Sequence, residues 1–248
     1  MSAGRRDWSA AEREYLLAFA DDEHLMGQQH TEWIGTAPFL EEDLAFASIA
    51  QDELGHAAAL YELLGDADDL AFRRDADGYR SCALVELPCP DWAEALARHW
   101  LYDLAERHRW QSLGAGIDDR LDGVVARARR EEEYHRLHAA ALIGRLYGQG
   151  GDAHERLDAA VRSLLPVADA LWEPVAGEQE AHRAGLATVT SAQLRARWHP
   201  EVEAVVGPVP WDELANLGQD ARRQRTEHFA SLFDRITEVF RIDPNASW

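Results

Sequence analysis

Apolar residues recur at helical spacing through most of the 248-residue chain. Over 8–34, Tyr15, Leu16, Phe19, Leu25, Met26 and Trp33 fall on one helical pattern, and over 39–65 so do Phe39, Leu40, Leu44, Ile49, Leu54, Leu60, Tyr61 and Leu64. GTAP (35–38) separates the two segments, and Gly65 marks a C-terminal stop. Residues 66–90 are polar, then irregular, and end in LPCPDW. Asp91 is placed to cap a third helix running to about Leu113. GAGIDD breaks that helix, and a long fourth covers 119–147. GQGGD leads to a fifth helix over 154–172, a looser stretch over 173–218 carries only short helical runs, and a final helix fits 219–241. Alternating β-branched runs are few. The pattern predicts an all-α protein, one domain over 1–248, with a four-helix bundle (8–34, 39–65, 91–113, 119–147) and an additional helical region over 152–248.

Composition narrows the function. The 25 basic residues against 45 acidic ones leave a net charge of −20, which argues against nucleic acid as a partner. Every basic residue other than histidine is arginine. Without lysine there is no Schiff-base chemistry and no Walker-type phosphate lysine. GQGGDA (148–153) has the lettering of a dinucleotide loop, but a helix rather than a strand precedes it, so it reads as a turn. No apolar stretch approaches the ~20 residues of a membrane span. The N-terminal MSAGRRDWSAAERE has no apolar core of a secretory signal. Cys82 and Cys89 are expected as reduced thiols, and the cytoplasm is the expected compartment.

Two Glu-x-x-His motifs carry the candidate chemistry. Glu53 and His56 stand in the apolar run QDELGHAAAL, and Glu132 and His135 in RREEEYHRLH. Residues three apart share a helix face, so each pair can reach one point. Glu23 precedes Glu53 by 30 residues, and Asp103 precedes Glu132 by 29. The midpoints, Pro38 and the Ile117–Asp118 bond, both fall at predicted turns. Antiparallel helices folding about those turns bring a carboxylate opposite each motif. One carboxylate from each of two helices and a Glu-x-x-His from each of two others is the ligand arrangement of ferritin-like di-metal bundles. The interval of 47 from His56 to Asp103 is long enough for the crossover between halves. Mixed carboxylate and imidazole donors suit iron or manganese. The alternative is a set of buried polar residues that satisfy one another. Glu131 and Glu133 are expected to face solvent, and Glu106 is a less symmetric substitute for Asp103. His138 reads as a supporting or surface residue. His24, His30, His99, His182, His199 and His228 lack a paired motif and read as structural or exposed.

Runs at several points along the chain carry a family likeness: TEWIGTAPFLEEDLA, ARHWLYDLAE, the EYH of the fourth helix and RTEHFASLF near the end. The chain resembles the phenylacetic acid catabolic protein family, and within it the branch of the C subunits of phenylacetyl-CoA ring epoxidases. The resemblance implies a ferritin-like fold and a multicomponent monooxygenase of aromatic acid catabolism. In such a complex a related catalytic subunit uses a di-iron centre to activate dioxygen toward an aromatic acyl-CoA. Glu23, Glu53, His56, Asp103, Glu132 and His135 match the ligands of that catalytic protein. Familiar C subunits lack part of the set, notably the Glu-x-x-His of helix two; this chain keeps all six. Three readings follow: a metal-bearing oxygenase subunit, a structural partner that retains the residues, or a different di-metal carboxylate protein. Two cysteines cannot ligate a four-Cys cluster, so turnover implies a separate reductase. Arg222, Arg223 and Arg225 are candidate anchors for an anionic CoA. Apolar residues of helix five (Leu157, Val161, Leu164, Leu165, Leu171) and of the last helix (Phe229, Leu232, Phe233, Ile236, Phe240) exceed what four helices need. Part of that surface is therefore expected to form a homodimer or a hetero-assembly.

Overall fold

The structure, a computed structural model, describes residues 6–214 and 221–243. The described residues are helical with short connections and contain no named strand, so the fold is all-α with ferritin-like helix order, as expected. They divide into two compact units: one runs to Tyr15 and resumes at Cys89, and the other comprises Leu16–Pro88 and the residues from Ala221 onward.

Helix α1 (Ala10–Thr31) starts at a reciprocal cap: Ser9 N–H donates to Glu12 Oε2 at 2.9 Å, and Glu12 N–H to Ser9 Oγ at 3.3 Å. Helix α2 (Leu40–Leu64) ends where Gly65 N–H reaches Tyr61 O at 2.9 Å. In the second unit three bonds fix how these helices meet. Asp21 pairs with Tyr61, Glu23 with His56 and His30 with Glu53, so the partner number falls as α1 advances. The pair is antiparallel. At Gly27 a Cβ would lie 2.9 Å from Leu54 Cγ, so the absence of a side chain permits the close approach.

The rest of this unit departs from the irregular segment expected over 66–90. Asp66 caps a short α3 (Ala67–Phe72) by accepting from Asp69 N–H at 3.0 Å, and α4 spans Ala83–Glu86.

In the first unit Asp91 caps α5 (Trp92–Ser112), accepting Glu94 N–H at 3.0 Å, and Asp118 caps α6 (Asp119–Gln149). Arg129 donates to Trp110 O at 3.2 Å, while His99 meets His138 at the other end, so α5 and α6 are also antiparallel. α5 is buried along most of its length because α6, α7 (Gly151–Asp169) and α9 (Ser191–Val206) all pack on it. The short α8 (Glu178–Arg183) lies between α7 and α9 in sequence. α9 falls in the segment expected to hold only short runs. Its Thr190–Gln193 capping box starts a helix that continues through Pro200.

Leu157, Val161, Leu164, Leu165 and Leu171, expected in part as interface, are buried within the first unit. The last helix, α10 (Phe229–Ile242), likewise spends much of its apolar face inside the second unit. Phe229 and Phe233 pack on Tyr79, and Phe240 stacks on Phe72 at 5.5 Å. Among the described residues, four of the nine exposed large apolar side chains gather at the α1–α2 connection, Ile34, Phe39, Leu40 and Leu44 at 47–69%, while Val239 and Ile242 remain exposed on α10. No helix among the described residues is long and apolar enough to cross a membrane.

Gly114 is the tightest backbone approach. Its N–H bonds Leu186 O at 2.9 Å, and a Cβ there would lie 1.9 Å from Gly185 O. Gly114→Ala should therefore cost about 2 kcal/mol or more in urea unfolding. Gly144→Ala, in mid-α6 with open space around it, should gain about 0.5 kcal/mol. Equal effects would contradict these backbone placements.

Candidate metal centre

Each unit carries its own carboxylate–imidazole set. In the second, Glu53 and His56 share one face of α2, and Glu23 and His30, two turns apart, share one face of α1. His56 Nδ1 lies 3.0 Å from Glu23 Oε2, and His30 Nδ1 lies 2.6 Å from Glu53 Oε2. Glu23 thus meets His56 rather than standing level with Glu53, and the place opposite Glu53 belongs to His30. In the first unit His135 Nδ1 is 3.5 Å from Glu132 Oε1 on α6. His99 Nδ1 is 3.1 Å from Asp103 Oδ2 on α5, and His99 Nε2 is 3.2 Å from His138 Nδ1. Glu23, Glu53, His56, Asp103, Glu132 and His135 are each exposed by no more than 2%.

The neighbours sort as helical geometry requires. Glu131 pairs with Arg127 at 2.9 Å and Glu133 with Arg136 at 2.6 Å, both toward solvent. Glu106 is buried and held by Arg109 at 2.6 Å, so its carboxylate already has a guanidinium. His30 and His99 read as structural or exposed in the sequence because neither belongs to a Glu-x-x-His. The signal was present: His30 follows Glu23 by seven residues, and His99 precedes Asp103 by four, both facing spacings on a helix.

Four buried carboxylates are costly unless cations or donors compensate them. Here the contacts between named ligand candidates are made by imidazoles, which are neutral donors or weak cations. A carboxylate and imidazole donor set of this kind fits iron(II) or manganese(II). The residues present fit such a centre.

The acids preceding Glu23 have other work. Asp21 is reached by Arg74 and by Tyr61 Oη, the latter at 2.6 Å, and accepts Arg80 N–H at 2.6 Å. Burial, reinforced by the Asp21 charge, raises the Tyr61 phenol well above its ordinary range. Asp22 accepts Cys82 N–H at 2.6 Å and Arg222 at 2.9 Å. Arg225 pairs with Glu86 at 2.7 Å; burial lowers the arginine and raises the glutamate. Arg222 and Arg225, read as CoA anchors, are thus committed to internal carboxylates, while Arg223 is exposed. His24, buried edge-on against Tyr61 and Phe72, is pushed by burial down to about 3 and stays neutral. Cys82 and Cys89 are not joined in a disulfide.

An all-α chain with a buried carboxylate–histidine set on each of two antiparallel helix pairs defines a ferritin-like protein equipped with metal-ligand side chains. The chain belongs to the phenylacetic acid catabolic protein family, whose pattern matches residues 4–248. It is similar to the C subunit of 1,2-phenylacetyl-CoA epoxidase from Escherichia coli (strain K12): 30% identity over 245 residues, covering 94% of this chain and 98% of that relative.

The Asp22–Arg222 pair is buried on both sides, at 0% and 6% side-chain exposure. Removing one partner of such a pair leaves a charge in the interior. Arg222→Ala should destabilise by about 3 kcal/mol in urea unfolding, whereas exposed Arg223→Ala should stay within about 0.5 kcal/mol of wild type.

Proposed function

We propose that this chain is a metal-bearing ferritin-like subunit of a multicomponent oxygenase of the phenylacetyl-CoA ring-epoxidase type, with iron as its metal, acting in the cytoplasm. In this reading the chain is one ferritin-like domain. Glu23, Glu53, His56, Asp103, Glu132 and His135 are, in this reading, the ligands of its di-metal centre. The observation that carries the proposal is the completeness of the set. Both helix pairs keep a buried carboxylate together with an intact Glu-x-x-His, where a purely structural partner would have no need of them.

Iron bound there would supply the activation of dioxygen for transfer to an aromatic ring. The protein's own part is to hold charge and exclude water. Four carboxylates balance the charge of two dications, and a site exposed by no more than 2% keeps solvent from the reacting atoms. Forming an epoxide and water from dioxygen consumes two electrons and two protons. The chain has two cysteines and no dinucleotide loop, so the electrons come from a separate reductase. A related ferritin-like catalytic subunit is the expected companion. The exposed Ile34, Phe39, Leu40 and Leu44 support a partner, since grouped apolar exposure marks contact surfaces.

A second reading has its own support. His30 on Glu53 and Arg109 on Glu106 show how far this interior satisfies its own polar groups, as a structural partner would. Elemental analysis of protein from iron-supplemented cells separates the two. Two iron atoms per chain are expected, with at least one lost in Glu53→Ala and both kept in Glu131→Ala. Metal-free wild type would leave the structural reading standing. With iron, a phenylacetyl-CoA-type substrate and NADPH alone, no sustained oxidation is expected; multiple turnovers without a reductase would refute the electron-supply argument.

A further inference from the structure

His30 lies outside the ligand set, yet its contact with Glu53 is shorter than that of His56 with Glu23. Its Nδ1 stands 2.6 Å from Glu53 Oε2, with both side chains 1% exposed. The bond crosses from α1 to α2. The imidazole is wedged edge-on against Phe46, ring centres 5.0 Å apart and planes at 80°, so packing as well as hydrogen bonding sets its orientation.

A carboxylate that ligates a metal is ionised and only accepts, so in the metal-bearing chain the proton of this bond would sit on His30 Nδ1. The contact from His56 to Glu23 is of another kind: His56 is itself a candidate ligand, and its bond to Glu23 would give way if both held an ion. The His30–Glu53 bond has no need to break, because Glu53 can meet an ion through Oε1 while Oε2 stays with His30. Hydrogen bonds of this sort to a ligand typically change metal affinity ~10–100-fold.

We propose that His30 is a positioning residue that holds Glu53 as a one-oxygen metal ligand, its Oε2 committed to the imidazole. This rests on the metal-bearing reading above. In the other half the corresponding neighbour, His99, lies on the same helix as Asp103, four residues earlier, at 3.1 Å. The His30–Glu53 contact instead ties one helix to the next.

Titration of the metal-free full chain with Mn²⁺, following the free-ion signal by electron paramagnetic resonance, tests the proposal alongside thermal melting of each metal-free variant. His30→Leu should weaken Mn²⁺ binding by ~10–100-fold. His30→Asn, whose amide N–H can occupy the place of Nδ1–H, should recover most of the affinity at a similar melting temperature. His30→Gln, which sets its amide farther out, should fold and bind weakly, and it serves as the test if His30→Leu does not fold. Wild-type affinity in a folded His30→Leu or His30→Gln, with only the melting temperature lowered, would make His30 merely structural and overturn the proposal. Failure of the wild type itself to bind Mn²⁺ or iron would instead overturn the metal-bearing reading and this inference with it.

Discussion

The constraint on which this structure turns is the burial of carboxyl groups inside a helical interior. Asp21, Asp22 and Glu23 are consecutive on α1 and all fully buried. Successive residues on a helix point about 100° apart, so three adjacent acids cannot share one counter-ion. Each is answered from a different direction: Asp21 by Arg74 and Tyr61, Asp22 by Arg222 and Cys82 N–H, Glu23 by His56. Leaving any of them unanswered would cost several kcal/mol. The segments that provide the answers are thereby fixed against α1.

This division of labour separates structural from chemical charge. The acids that meet arginine, namely Asp21, Asp22, Glu86 and Glu106, are permanently compensated, because a guanidinium does not lose its proton in a protein. Those that meet imidazole have partners able to change protonation or exchange for an ion. The candidate ligands fall in the second group. Family membership and the 30% identity to an epoxidase subunit set the biological frame; the choice of imidazole over arginine is the local chemical reason to expect a metal within it.

Much of the fold could be read from periodicity and punctuation. Asp91 and Asp118 cap the helices that the apolar spacing predicts, and GTAP and GAGIDD lie at turns. α9 was harder to see because Pro200 interrupts a pattern that the Thr190 cap nevertheless initiates, and α3 and α4 are too short for periodicity to register. The site residues stood out because Glu-x-x-His is a spacing. Their pairing did not: a midpoint argument assumes a tight, symmetric turn, whereas residues 32–39 let α2 slide until Glu23 meets His56 and His30 meets Glu53. Arg222 and Arg225 were invisible as interior residues because arginine in a polar stretch is ordinarily solvated. Only the position of Asp22 and Glu86 in three dimensions shows why they are buried.

The reach of Arg222 back to Asp22 also fixes an order of events during synthesis. The unit bearing Glu23, Glu53 and His56 is discontinuous, closed by a segment that leaves the ribosome some 200 residues after α1. Until residues 222–225 emerge, Asp22 and Glu86 lack their guanidinium partners, and the chain must wait across a long sequence separation before that closure can form. The first unit gathers most of its helices from one continuous stretch and has no such delay. Maturation of the nascent chain is accordingly staggered. The half that holds Glu23 and His56 closes only once residues 222–225 have emerged, later than the helices that follow Cys89 in the first unit.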